Sequence, residues 1–163
     1  MDRRNIIDFQ KFVCQNLSDQ IKQADTKAAA IISVLGLITA SLLSRLSSIK
    51  VRGSLSETNM IVYCLAAALI LVSLKFAIGV IFPRISKGKS TGLLYFGDIS
   101  LMRKETFVKN ITKIDETQIS LEYANQAHAL SAIAKRKYWN LRQAFILSSI
   151  ALVFTIIALI VNQ

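Results

Sequence analysis

Lys135-Arg136-Lys137 is followed at once by Tyr138 and Trp139. Three cations beside two aromatic faces have the groups needed to hold a phosphate and stack a base. A basic cluster with an aromatic belt is also how a helix anchors itself at a membrane surface, and these residues alone leave both readings open. Asp25 and Lys27 form a second charged spot, at the start of another apolar run. An acid and a base there serve as an anchor, or as part of a gate or ligand site. Lys75 interrupts a third apolar run eight residues before Pro83, which is about 12 Å along a helix. An ammonium at that depth either snorkels to the interface or faces water, and snorkelling is favoured over lining a pore.

Gly88-Lys89-Ser90 has the ending of a phosphate-binding P-loop, but the motif's first glycine would fall at Pro83. With Arg84 and Lys87 nearby, the stretch has the charge to grip a phosphate or an anionic lipid, although a solvated basic loop is favoured. His128 is the one histidine, so neither a histidine-based metal cluster nor a Ser-His-Asp arrangement can be assembled. Carboxylates are sparse and none pairs closely beside a nucleophile. The chain is therefore expected not to be an enzyme and to carry neither a metal nor a cofactor. Cys14 and Cys64 match no disulfide or CxxC pattern and read as packing residues.

The elements that must position these groups follow from composition. Of 163 residues, 53% are hydrophobic, too many for a soluble domain of ordinary surface. The formal charge of +10 favours anionic partners, and a positive-inside bias produces the same excess in small membrane proteins. The uncharged stretches predict transmembrane helices at 28–46, 58–83 and 143–163, each near the ~20 residues needed to cross a ~30 Å hydrocarbon core. The 27 residues ahead of Ala28 are too long, too acidic and too helix-patterned for the n-region of a signal peptide. Residues 1–27 hold five Lys/Arg and the segment 84–142 holds eleven, against Lys50 and Arg52 in the hairpin 47–57. The richer side is expected to be cytoplasmic, which places the N-terminus inside and the C-terminus outside.

The fold class expected is all-α: a multi-pass membrane protein with three transmembrane helices and a small cytoplasmic helical bundle continuous with the first and third spans. Ile6, Phe9, Val13, Leu17, Ile21 and Ala24 make one stripe on the N-terminal helix. Ile119, Tyr123, Ala127, Leu130, Ala134 and Leu141 make another, on a helix that Asp115 and Gln118 open with a capping box. Two such stripes can cover each other. Residues 93–97 are predicted as a short strand or a docked extended segment, with a helix from Asp98 to Asn110. On the first span Ala29, Ser33, Gly36, Ala40 and Ser44 form a small-residue face, suited to close packing within one chain or between chains.

Four stretches taken in order, Ala24-Asp25-Thr26-Lys27-Ala28, Phe82-Pro83-Arg84, Leu94-Tyr95-Phe96-Gly97-Asp98 and Ala134-Lys135-Arg136-Lys137-Tyr138, are similar to the transmembrane effector domain of Pycsar antiphage systems. The resemblance runs over nearly the whole chain. It implies a cell-suicide effector in the bacterial inner membrane, activated by cyclic CMP or cyclic UMP from a partner pyrimidine nucleotide cyclase. On that implication Arg84, Lys135 and Lys137 are the candidate anion ligands, with Tyr95 or Tyr138 stacking on the base. Asp25, Lys27 and Lys75 are the gate or pore candidates. The expected partners are the messenger, the lipid bilayer and further copies in a homo-oligomer, with no nucleic acid. A membrane scaffold and a toxin that needs no messenger are the competing functions.

Overall fold

The computed structural model describes residues 3–52, 57–82 and 92–160, the side chains of residues 3, 48–52, 57–59 and 96 excepted. Every regular element among them is helical: α1 Arg3–Arg52, α2 Glu57–Ile81, α3 Phe96–Leu101, α4 Lys104–Lys113 and α5 Glu116–Ile160. Three of these, α1, α2 and α5, are long and apolar enough to cross a membrane. Hydrocarbon offers no partner to a backbone N–H or C=O, so a run that enters it must satisfy its own hydrogen bonds, which a helix does. Nothing in these runs breaks that ladder. Gly36 is the lone glycine of α1, α5 has neither Gly nor Pro, and the chain's one proline follows α2 at position 83.

The chain divides into two compact units, residues 1–22 with 83–135 and residues 23–82 with 136–163. In the second unit Leu35, Ile38 and Leu42 of α1 pack with Tyr63, Ala66 and Ile70 of α2 and with Ala151 and Ala158 of α5. A smaller cluster joins Ala24 and Ala28 to Val80 and Leu141. Alanines at these contacts let the backbones come close, which is how helices gain dispersion energy where no water drives them together. Along α2 from Tyr63 to Ser73 to Gly79, the hydrogen-bonded partner on α5 steps back from Ala158 to Ala144 to Asn140. These two helices run antiparallel. The outer faces stay apolar, with Leu37 and Leu71 largely exposed, as lipid contact allows and water would not.

The small-residue face of α1 is not used in this packing. Ala29, Ser33, Gly36, Ala40 and Ser44 are all exposed, and a Cβ placed on Gly36 would meet nothing within 4 Å.

The first unit holds residues 3–22 of α1, then α3, α4 and residues 116–135 of α5. The α5 stripe from Ile119 to Leu130 is partly buried here, whereas Ile6 and Phe9 of the α1 stripe are exposed. The cap expected at α5 is present: the Gln118 N–H donates to Asp115 Oδ1 at 2.7 Å. The single helix expected from Asp98 to Asn110 is instead two. The Met102 N–H bonds the Ile99 carbonyl at 3.1 Å, closing α3 with a tight last turn, and Met102 and Arg103 are extended before α4 begins. Nor does Asp98 cap that helix. Tyr95 occupies the cap position, and Asp98, buried in the first turn, accepts the Gly92 N–H at 3.3 Å. Leu93 and Leu94 lie in a bend rather than a strand, and the Leu93 N–H is held by Glu122 Oε2 at 2.9 Å. Neither reading for 93–97 holds in full: 93–95 are docked but not a strand, and Phe96 and Gly97 already belong to α3.

Candidate functional site

In the second unit Asp25, Lys27, Arg136, Lys137 and Arg142 stand where α1 enters its apolar run and α5 leaves its basic cluster. Lys137 Nζ is bonded to Asp25 Oδ1, a salt bridge that links α5 to α1. The lysine side chain is 13% exposed and the aspartate 37%, so the ammonium is the more sheltered partner. Next to it on α5, Tyr138 packs against the cluster of Ala24, Ala28, Val80 and Leu141. One turn above Lys137 is Leu141, and between them Asn140 Nδ2 donates to the Gly79 carbonyl at 3.2 Å. Four residues on from Gly79 stands Pro83, which has no N–H to give, so this bond satisfies a carbonyl at the end of α2 that the helix's own ladder leaves without a donor. A side chain at position 79 would press within 3.3 Å of the Asn140 amide, and glycine leaves that approach open. Deeper in the unit, Ser73 Oγ donates to the Ala144 carbonyl at 2.8 Å. Phe76 and Trp139 meet edge to face with centroids 5.7 Å apart.

Lys27 and Lys75 point outward, each exposed on its own helix. Lys75 therefore does not line an interior of the three-helix unit. Its place, six residues before the end of α2, is within reach of an interface for a snorkelling side chain.

Four of the five ligand candidates fall among the described residues, Tyr95 and Lys135 in the first unit and Lys137 and Tyr138 in the second. Arg84 lies outside the described residues, as does Gly88-Lys89-Ser90. Lys135 is exposed, whereas Lys137, two residues on, is sheltered and paired. Residues two apart on a helix point to opposite sides, so these two lysines cannot grip one phosphate from α5 alone. Tyr95 is in the first unit and lays its ring over Gly97, where a Cβ would come within 2.5 Å of Cε1. In that unit Cys14 Sγ donates to the Tyr123 carbonyl at 3.6 Å, and burial pushes its thiol pKa up, which favours the thiol over the thiolate. Among the described residues, Gln10 Oε1 is a buried acceptor with no hydrogen-bond partner.

Tyr63, Ser73, Asn140 and Glu122 escape the sequence reading, although each fixes one element to another. For Ser73 and Asn140 a signal existed: a polar residue inside or at the mouth of an apolar run needs a partner there.

The sequence model of the Pycsar effector protein domain, PycTM, matches residues 9–162. The chain belongs to the Pycsar effector family. That match takes in all three long apolar helices and both ends of the Asp25–Lys137 pair. Among curated family members, the chain is 28% identical to Pycsar effector protein SaPycTM of Staphylococcus aureus, over 134 residues that make up 82% of each protein. No solved structure matches it.

Proposed function

We propose that this chain is the membrane-acting half of an antiviral defence pair in the bacterial inner membrane. A partner pyrimidine nucleotide cyclase makes cyclic CMP or cyclic UMP on phage infection. Binding of that anion changes how the spans pack or assemble, membrane integrity fails, and the cell dies before releasing phage. The observation that carries this reading is that the effector domain extends over residues 9–162, the three spans included.

In this reading residues 1–27 and 84–142 are cytoplasmic, the hairpin 47–57 and the C-terminus are external, and several copies act together. Lys135, Arg84 and an aromatic face from Tyr95 or Tyr138 receive the messenger. Lys137 contributes differently. An anion that reaches its ammonium competes with Asp25 for it, which loosens the tie between α1 and α5. A ligand shifts such an equilibrium only as far as its affinities for the two states differ. Asp25, Lys27 and Lys75 then line the region where the spans rearrange.

Purified protein in dye-loaded proteoliposomes tests this. The expected result is dye release on adding cyclic CMP or cyclic UMP, and none with cyclic AMP or without nucleotide. Release without any nucleotide indicates a messenger-independent toxin; no release with any of them indicates a scaffold. Binding measured on Lys135→Ala tests the anion site, and affinity equal to wild type removes that residue from it.

A further inference from the structure

In the second unit, the outer face between α2 and α5 carries cations that no acid answers. Phe76 and Trp139 touch across that face, and Trp139 is still 56% exposed. It stands two residues from Lys137, whose side turns to α1, so the indole faces away from α1. Arg136 and Arg142, each three residues from Trp139, share its side of α5 and are exposed. On α2, Lys75 is exposed beside Phe76, two residues from each of the buried Ser73 and Ala77. The antiparallel register, with Ser73 on Ala144 and Gly79 on Asn140, brings Lys75 level with Arg142. Arg136 stands about 9 Å nearer the end of α2, and snorkelling carries the two deeper charges toward it, past the indole.

None of the three cations is in an ion pair among the described residues. The second unit has two acids: Asp25, which Lys137 holds, and Glu57, at the opposite end of α2. Three like charges on one face repel one another, and no acid of this unit neutralises them. One turn deeper on the same faces, Val72 and Ile146 are exposed and apolar. We propose that this face binds an anionic phospholipid, its phosphate held by Lys75, Arg136 and Arg142 beside the Trp139 indole and its acyl chains lying on Val72 and Ile146. A free anion shares the phosphate chemistry but has no use for the apolar floor, and cations on a lipid-facing side meet headgroups first. The site rests on α2 and α5 crossing a bilayer and on nothing about the messenger.

Trp139 is the one tryptophan of the chain, so its fluorescence reports the site itself. Full-length protein is placed, without nucleotide, in vesicles of phosphatidylcholine and phosphatidylglycerol, one lipid or the other carrying brominated chains that quench an indole they touch. The expected result is a several-fold preference for phosphatidylglycerol over phosphatidylcholine at Trp139. Lys75→Gln with Arg142→Gln brings that preference to about one, and Lys75→Arg keeps it. Arg45→Gln, which removes an exposed cation at the far end of the α1 apolar run, leaves it unchanged. Equal quenching by the two lipids in wild type would overturn the site and leave Trp139 an ordinary interface anchor. A preference that survives the double variant, or that falls as far with Arg45→Gln, would overturn it too. Its loss on adding millimolar inorganic phosphate would replace the lipid with a free anion. Because no nucleotide is present, failure here and failure of messenger-driven dye release are seen separately.

Discussion

Along the second unit the three long helices seal part of their apolar side chains against one another and leave the rest facing out. Leu35, Ala66 and Ala151 are sealed, while Leu37 and Leu71 face out. The first unit is built differently. Its interior is stitched by polar contacts, Glu122 to the Leu93 N–H and Asp98 to the Gly92 N–H, while Phe9, Phe12 and Leu101 lie open. The contrast is the one that lipid around the second unit and water around the first, as proposed above, impose. In lipid the outward apolar surface costs nothing, so helices associate through close contact and a few hydrogen bonds. In water the same exposure is unfavourable, so an open aromatic face marks a place where something else belongs.

The sharpest way to break this comparison is to delete the same kind of bulk from both units. Leu35→Ala removes a sealed side chain and is expected to cost ~2–5 kcal/mol, the range for cavities that cannot collapse. Phe12→Ala removes a larger but exposed one and is expected to change the stability of the isolated chain by no more than ~0.5 kcal/mol. Reversible unfolding in mixed micelles with SDS, at a protein concentration where the chain is monomeric, measures both. The contrast fails if Phe12→Ala is the more damaging.

Next in size is Gly97→Ala. Its new methyl would stand within 2.5 Å of the Tyr95 ring, so the ring must swing away, at an expected cost of ~1–3 kcal/mol. Because the damage is confined to the first unit, limited trypsin digestion should cut there faster than in wild type. The transmembrane fragment should survive unchanged.

A smaller effect is expected at the Asp25–Lys137 pair. Its aspartate is more than a third exposed, so solvent screening holds the loss on Asp25→Ala to about 1 kcal/mol. The reversed pair, Asp25→Lys with Lys137→Asp, should recover much of the loss in the same micelle assay. If both variants are equally damaged, the contact contributes geometry rather than charge.

Much of this architecture can be read before any coordinates. The three spans follow from uncharged runs of sufficient length, and the start of α5 follows from Asp115 and Gln118 at cap spacing. Periodicity also marks the α5 stripe correctly. It cannot say whether the stripe is covered, and Ile6 and Phe9 show the limit: the period is present and both side chains are exposed. The break at Met102 and Arg103 is equally silent, since neither residue type opposes a helix. For the candidate site the difficulty is geometric. Adjacent letters such as Lys135 and Lys137 look like one cluster, yet a helix sends them to opposite sides, and the Asp25 that claims Lys137 is 112 positions away.

The smallest expected effect tests the lipid side of the comparison most directly. Ser73 is fully buried and donates to the Ala144 carbonyl, a bond that intuition would rank as strong in so apolar a setting. In a membrane, however, the separated α2 still finds a partner for that hydroxyl, because a serine can turn back to the carbonyl one turn earlier on its own helix. The net loss on Ser73→Ala should therefore be only ~0.6 kcal/mol. Glu122→Ala should cost more, ~1–2 kcal/mol, because it strips a charged acceptor from a partly buried N–H. Should Ser73→Ala prove the costlier of the two, polar contacts rather than close packing would be what holds the spans together.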